Sequence, residues 1–254
     1  ISVDATNYTD VAGNTGTSDA TSDNYEINTV IPVITFGEIA NVTYGDDAIA
    51  LSGTVTSDLT ITYTSSDESV ISIIENEAII IGAGTATITA AQEGNDDINA
   101  AVSVAQEITV EKAIIAAAVV NTSKTYGDSN PNFSIEFTGF VNEDTEEDLE
   151  TLPDATTEAS TLSPVGEYTI SASGGSDSNY TFEFTEGLLT ITKATLIASA
   201  ENLSKTYGEE NPEQSITYQG FIGEDGVNDI TEPSIATTTT SETGVGTYTI
   251  TLSG

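Results

Sequence analysis

An internal repeat limits what this chain can fold into more than any single residue does. The string Lys124-Thr125-Tyr126-Gly127-Asp128 returns as Lys205-Thr206-Tyr207-Gly208-Glu209, 81 positions on. Asn130-Pro131 returns as Asn211-Pro212, and Thr138-Gly139-Phe140-Val141 as Gln219-Gly220-Phe221-Ile222. Pro164-Val165-Gly166-Glu167-Tyr168-Thr169-Ile170 returns as Gly244-Val245-Gly246-Thr247-Tyr248-Thr249-Ile250. Self-similarity at a fixed period means one supersecondary unit used again and again. Lys112-Ala113 and Lys193-Ala194 open the two copies, so one unit covers 113–193 and the next covers 194–254. The latter stops at the counterpart of Gly174 and lacks the equivalent of 175–193, so it is expected to be incomplete at its C-terminal side. A weaker copy over 34–112 carries Val42-Thr43-Tyr44-Gly45-Asp46 and Gly82-Ala83-Gly84-Thr85-Ala86-Thr87-Ile88. Residues 1–33 are left as the end of a preceding unit.

Within each unit the apolar period is two. Phe133, Ile135 and Phe137 alternate with Ser134 and Glu136, and Tyr168, Ile170 and Ala172 with Thr169, Ser171 and Ser173. Tyr180, Phe182 and Phe184 alternate with Thr181, Glu183 and Thr185. Alternation puts one apolar set on a buried face. Gly-Asp, Asn-Pro and Gly-Gly supply turns, and no segment sustains a period of 3.6. Six to eight short strands in about 80 residues is the size of an immunoglobulin-like sandwich. The expected class is all-β, as tandem sandwich modules arranged in an elongated rod.

Charge removes most partners. The 254 residues hold 41 Asp and Glu against 4 Lys and Arg, a formal charge of −37. The four basic residues are Lys112, Lys124, Lys193 and Lys205, too scattered to neutralise a run of phosphates. Nucleic acid and an anionic membrane surface are therefore not expected partners. The longest apolar run, 113–120, is far short of the roughly 20 residues that span a bilayer. The absence of Cys and His removes imidazole-driven nucleophiles and the usual zinc and haem ligands. Carboxylate catalysis remains, but acid pairs without a cleft define no site, and no enzyme is expected. The chain begins with Ile1 and shows no charged segment followed by an apolar one, so it reads as an internal piece of something longer.

Two motifs stand out. Tyr44, Tyr126 and Tyr207 of the Tyr-Gly element are expected to pack in the core while Gly45, Gly127 and Gly208 take a positive φ. Tyr168 and Tyr248 follow a turn glycine and are expected to bond to backbone, as the tyrosine corner of Ig-like sandwiches does. Phe140 and Phe221 are expected to close the core.

These residues carry a resemblance. Lys-Thr-Tyr-Gly-Asp-x-Asn-Pro at 124–131, Thr-Gly-Phe-Val-Asn at 138–142, Pro-Val-Gly-x-Tyr-x-Ile at 164–170, Asn-Tyr-x-Phe at 179–182 and Leu-x-Ile-Thr-Lys-Ala at 189–194 resemble the MBG repeat of YGX type. Glu143 stands where that family usually has Gly, and Gly223-Glu224-Asp225-Gly226 replaces its Asn-Gly-Asp-Thr turn. Tyr63-Thr64-Ser65-Ser66-Asp67-Glu68-Ser69-Val70 and 82–90 are similar to bacterial Ig-like repeats of the intimin and invasin kind. Residues 8–14 look like the tail of another such repeat. The resemblance implies a large exported bacterial surface adhesin, with neighbouring repeats of the same chain as its main partners. It implies a stalk that spaces a binding tip from the cell, in an attachment or gliding-motility protein. The alternative is a module that binds surface polysaccharide or host protein, for which Tyr218, Phe221 and Phe140 are the candidate exposed aromatics.

Acidic loops are candidates for calcium, which takes six to eight oxygens. Related adhesin repeats rigidify junctions with this ion, which implies Asp10 and Asn14. Asp144 and Asp148 belong to the densest acidic run, 142–148. None of these loops has the EF-hand spacing, and charge runs are commonly solvated faces.

Overall fold

The computed structural model describes residues 2–3, 12, 20–21 and 31–254. The chain divides into two units, Ile1–Glu111 and Lys112–Gly254.

The first unit has eleven described strands: β1 (Ser2–Val3), β2 (Ala20–Thr21), β3 (Ile34–Thr35), β4 (Val42–Thr43), β5 (Ile49–Ala50), β6 (Thr54–Val55), β7 (Thr62–Ser65), β8 (Ile71–Ile74), β9 (Glu77–Ile80), β10 (Gly84–Ala91) and β11 (Val104–Glu111). One sheet runs β4-β11-β10-β7 and another β5-β9-β8. Alternation in β10 buries Ala86, Ile88 and Ala90, and Ile108, Val110, Ile71 and Tyr63 are buried in the same unit. Phe36 tilts onto Tyr63 with ring centroids 5.4 Å apart, and the Tyr63 hydroxyl accepts the Gly53 N–H at 2.7 Å. The Ser-Ser-Asp-Glu-Ser-Val turn is closed by Asp67, whose carboxylate accepts the Ser69 hydroxyl at 2.6 Å and amide at 2.9 Å. Those bonds stabilise the charged form and hold the Asp67 carboxyl below its ordinary range.

The second unit contains both strong repeats. Its strands are β12 (Ala113–Val119), β13 (Thr122–Thr125), β14 (Ile135–Thr138), β15 (Thr151–Thr157), β16 (Gly166–Ser176), β17 (Tyr180–Thr185), β18 (Gly187–Thr192), β19 (Ile197–Ala200), β20 (Ile216–Gln219), β21 (Ser234–Thr237) and β22 (Ile250–Ser253). In the second repeat, β14-β12-β17 faces β13-β18-β16-β15, as an Ig-like sandwich does. Between the sheets lie Ile115, Ala117, Val119, Ile170, Leu189 and Ile191, all at or under 6% exposure. The β-branched and aromatic alternation suits a pleat with one dry face.

The third repeat copies this register. Ala116↔Thr138 becomes Ile197↔Gln219, and Thr157↔Ile170 becomes Thr237↔Ile250. In the third repeat β19-β20 and β21-β22 form separate two-stranded pairs. A cleft of about 730 Å³ opens between them, bordered by Leu203, Tyr207, Val245, Tyr248 and Ile250.

Candidate functional site

The residues that repeat most faithfully form a hydrogen-bonded staple. In the second repeat, β13 leads into the Tyr126-Gly127 turn, which lies against the loop between β15 and β16. The Lys124 ammonium donates to the Asp128 carbonyl at 3.1 Å and the Ser160 carbonyl at 2.6 Å. Gly127 N–H donates to the Thr161 carbonyl at 3.2 Å, and the Asn130 side-chain amide to the Ala159 carbonyl at 2.7 Å. The third repeat repeats every bond. Lys205 donates to Glu209 and Thr240 carbonyls at 3.1 and 2.7 Å. Gly208 N–H donates to Ser241 at 3.1 Å, and Asn211 to Thr239 at 2.7 Å. The acid after the glycine also closes the turn, since Glu209 accepts the Thr206 N–H at 3.0 Å and Asp46 accepts the Thr43 N–H at 2.8 Å. Lys, Asn and the acid thus hold backbone, although Lys205 and Asn211 also border the cleft of the third repeat. The lysine's role was not read from the sequence, because its acceptors are carbonyls that carry no side-chain signal.

The tyrosines divide. Tyr44 is buried, and Tyr126 is half-buried against the core of its repeat. Tyr207, expected in the core, is 63% exposed. The physical reason is that β19-β20 and β21-β22 form separate pairs, with no packed sheet beneath that ring. Tyr168 and Tyr248 both donate to the carbonyl four residues back, Pro164 at 2.9 Å and Gly244 at 3.0 Å. Their corner bond forms as expected, although neither ring is fully buried. Phe140 packs edge-on against Tyr180 at 5.8 Å, and Phe221 against Tyr218 at 5.8 Å. These rings are half-buried rather than core, because each lies in the loop after β14 or β20.

That loop is fixed by a glycine. Gly139 has φ 103°, and a Cβ there would lie 2.5 Å from the Ile114 carbonyl oxygen. Gly220 repeats this at φ 107° and 2.6 Å from the Thr195 oxygen. Both the backbone conformation and the close approach exclude any other residue.

The acidic run 142–148 is a capped turn. The Tyr180 hydroxyl donates to Asp144 Oδ2 at 2.7 Å and accepts the Val141 N–H at 3.1 Å. Asp148 Oδ2 accepts the Thr145 amide at 2.8 Å and hydroxyl at 2.9 Å. The third repeat keeps the second device, with Gly226 N–H donating to Asp229 at 2.9 Å. The two calcium candidates of this run therefore bond to different protein groups. No group of three or more acidic side chains that could hold a metal occurs among the described residues. Asp10 and Asn14 lie outside the described residues.

Glu143 sits at φ 67° beside Asn142 at φ 56°, the left-handed region that costs a non-glycine residue about 1–2 kcal/mol. Gly223 occupies the place of Asn142 in the third repeat, at φ 63°. Glu143→Gly therefore raises the stability of the second repeat by up to about 1 kcal/mol, the relieved strain less the added freedom of the unfolded chain. Urea midpoints compare the two, and a lower midpoint for the variant overturns the strain assignment.

A cleft of about 400 Å³ lies where the second and third repeats meet, around Lys193 and Ala194. Tyr126, Leu162 and Val165 contribute one side, and Phe221, Ile222 and Asp225 the other. Burial pushes the Tyr126 phenol above its ordinary pKa, and its hydrogen bond to Asp225 and the charges of Asp225 and Asp229 add to this.

The family model for the MBG domain (YGX type) matches residues 115–190 and 196–254, more than half of the chain. The chain belongs to the MBG (YGX type) family. Its two MBG repeats are the second and third repeats described above. Among solved structures the chain is similar to an I-band fragment of titin, at 11% identity, over 63% of this chain and 65% of that one, with a TM-score of 0.30. It is similar to the N-terminal four Ig domains of Dscam1 isoform 6.9 at 11% identity, over 66% and 47%, with a TM-score of 0.32. It is also similar to Drosophila N-cadherin EC1-4 at 12% identity, over 82% and 63%, with a TM-score of 0.25. The chain thus spans less than two-thirds of each of these structures. No curated protein gave a significant match. Among the described residues no helix is long and apolar enough to cross a membrane. MBG and Ig-like repeats are in general not enzymes.

Proposed function

We propose that this chain is a stalk segment of an exported bacterial surface adhesin, a rod that spaces a binding tip from the cell. The observation that carries the reading is the near absence of linker between folded pieces. β11 ends at Glu111 and β12 begins at Ala113, while β18 ends at Thr192 and β19 begins at Ile197. Connections of one and four residues without a Gly/Ser run restrict bending, where Gly/Ser linkers permit it. The charge of −37 keeps neighbouring stalks soluble and apart. The repeated chemistry supports the same reading, since the staple of Lys124, Gly127 and Asn130 serves backbone and presents no reactive group. A recognition role toward polysaccharide or host protein is the alternative, and it draws on Tyr207 and Tyr248, 63% and 46% exposed at the open cleft. Because the repeated staple serves backbone in both repeats, the spacer is the preferred reading.

Small-angle scattering of the chain tests it. A globular chain of this length has a radius of gyration of about 18 Å. Sandwiches of roughly 35–45 Å placed end to end make a rod of about 100 Å or more, with a radius of gyration near 30 Å or above. A value close to that of a globular chain overturns the spacer.

A further inference from the structure

The Tyr-Gly turn does more than reverse the chain. In the second repeat, a Cβ on Gly127 would lie 2.6 Å from Ile222 Cδ1 and 2.7 Å from Ile222 Cγ2. The isoleucine of the following repeat is therefore seated directly on the bare Cα of the turn. Gly208 makes the same turn in the third repeat, at φ 90° against 92°, with the same bond to the β21–β22 loop. A Cβ on Gly208 would meet nothing within 4 Å. The turn thus adopts its shape without a neighbour, and the concave spot over its glycine is preformed. Leu162 forms the rim: a Cβ on Gly223 would lie 3.2 Å from its methyl groups. Asp225 lines the same cleft as Tyr126, and its carboxylate helps hold the Tyr126 phenol protonated.

We propose that Tyr126 and Gly127, with Leu162 at the rim, form a socket by which one MBG repeat fixes the orientation of the next, its partner being the Gly220-Phe221-Ile222-Gly223 loop of that next repeat. The short link over 193–196 limits bending but does not by itself fix the twist and tilt of the third repeat. The apolar seat of Ile222 and the polar contact of Asp225 lie to its side, and together with the link they remove both freedoms. A socket shaped in advance loses little entropy when it is filled. The inference concerns the joint alone and holds whatever the repeats carry, so its test is separate from scattering by the whole chain.

The chain has no cysteine, which allows clean spin labelling. Glu136 and Thr217 are exposed on β14 and β20, equivalent strands of the two repeats. Nitroxides on Glu136→Cys and Thr217→Cys of the full chain should give one narrow distance distribution by pulsed electron paramagnetic resonance. Gly127→Val should broaden it at least two-fold, because the added side chain evicts Ile222. Gly208→Val carries the same backbone strain with no loop to evict, and should leave the width unchanged. Ile222→Ser should broaden it without touching the turn, which keeps the test decisive if Gly127→Val fails to fold. The socket is overturned by a broad distribution in the otherwise native chain, by an unchanged width in Ile222→Ser, or by equal broadening from Gly208→Val.

Discussion

Ile170→Ala is expected to lower the stability of the second repeat by about 2–5 kcal/mol, the range for truncating a fully buried isoleucine. Ile170 has no solvent exposure and sits at the centre of β16. Its backbone is paired on both sides, with Thr157 of β15 and Gly187 of β18. Its side chain belongs to the cluster of Val119, Ala159, Ala172, Leu189 and Ile191. Two of those neighbours are alanines, too small to move into the vacated volume. Leu189 and Ile191 are held on β18 between β13 and β16. The cavity therefore stays open, and the cost falls toward the upper part of the range. At about 4–8 °C per kcal/mol for a domain of this size, the repeat's melting temperature drops by at least about 8 °C. Ile250 is the equivalent residue and is only half-buried, on a strand paired with β21 alone. Ile250→Ala should cost less than half as much. Hydrogen exchange of the β16 and β22 amides reads the two repeats separately. Equal losses would contradict the view that β17 and β18 complete the core.

Period-two alternation made the strands legible, because a pleated strand buries every second side chain and the sequence must follow. β17 was read at its observed bounds, and β14 was read from Ile135 and Phe137. The repeat also made plain which segments had no counterpart in the third unit. What stayed hidden was contact between segments far apart in the chain whose partners are backbone atoms. Lys124 reaches a carbonyl 36 residues away, and any residue can offer a carbonyl. Tyr126 and Tyr207 have near-identical local sequence, yet one is half-buried and the other exposed. The difference lies in β18 and in a loop almost a hundred residues on, not in the motif. Gly127 showed the reverse problem. Its positive φ was readable from Tyr-Gly-Asp, but the same glycine also carries Ile222, and a local motif reports only the first of these. The acidic run 142–148 was read by its charge, whereas Asp144 and Asp148 act there as hydrogen-bond acceptors for Tyr180 and Thr145.

Lys124→Met is expected to destabilise the second repeat by about 2–4 kcal/mol, given about 1.5–3 kcal/mol for each hydrogen bond to a charged group and less than full additivity for two sharing one donor. Methionine keeps most of the buried stem and removes only the ammonium, so lost packing contributes little. Lys124 is 7% exposed, and its bonds to the Asp128 and Ser160 carbonyls are partly buried. Those two acceptors are left without their charged donor, and the loss of two charge-assisted bonds sets the cost. Opposing this, the apolar side chain escapes the desolvation that a buried ammonium bears. The opposing effect is the smaller one here, because the stem is the part in apolar surroundings while the ammonium already sits among carbonyl dipoles. Arginine should not rescue the variant, since its planar fork cannot place one donor on each of two carbonyls around a compact ammonium site. Lys205 makes the same pair of bonds but is only partly buried. Water can take its place, so Lys205→Met should cost less than about 1 kcal/mol, as surface changes do. Urea unfolding with hydrogen exchange in β13 and β16 separates the repeats. If Lys124→Met unfolds at the native midpoint, the lysine of the repeated signature is not what holds the turn to the β15–β16 loop, and the amide of Asn130 with the Gly127 N–H must suffice.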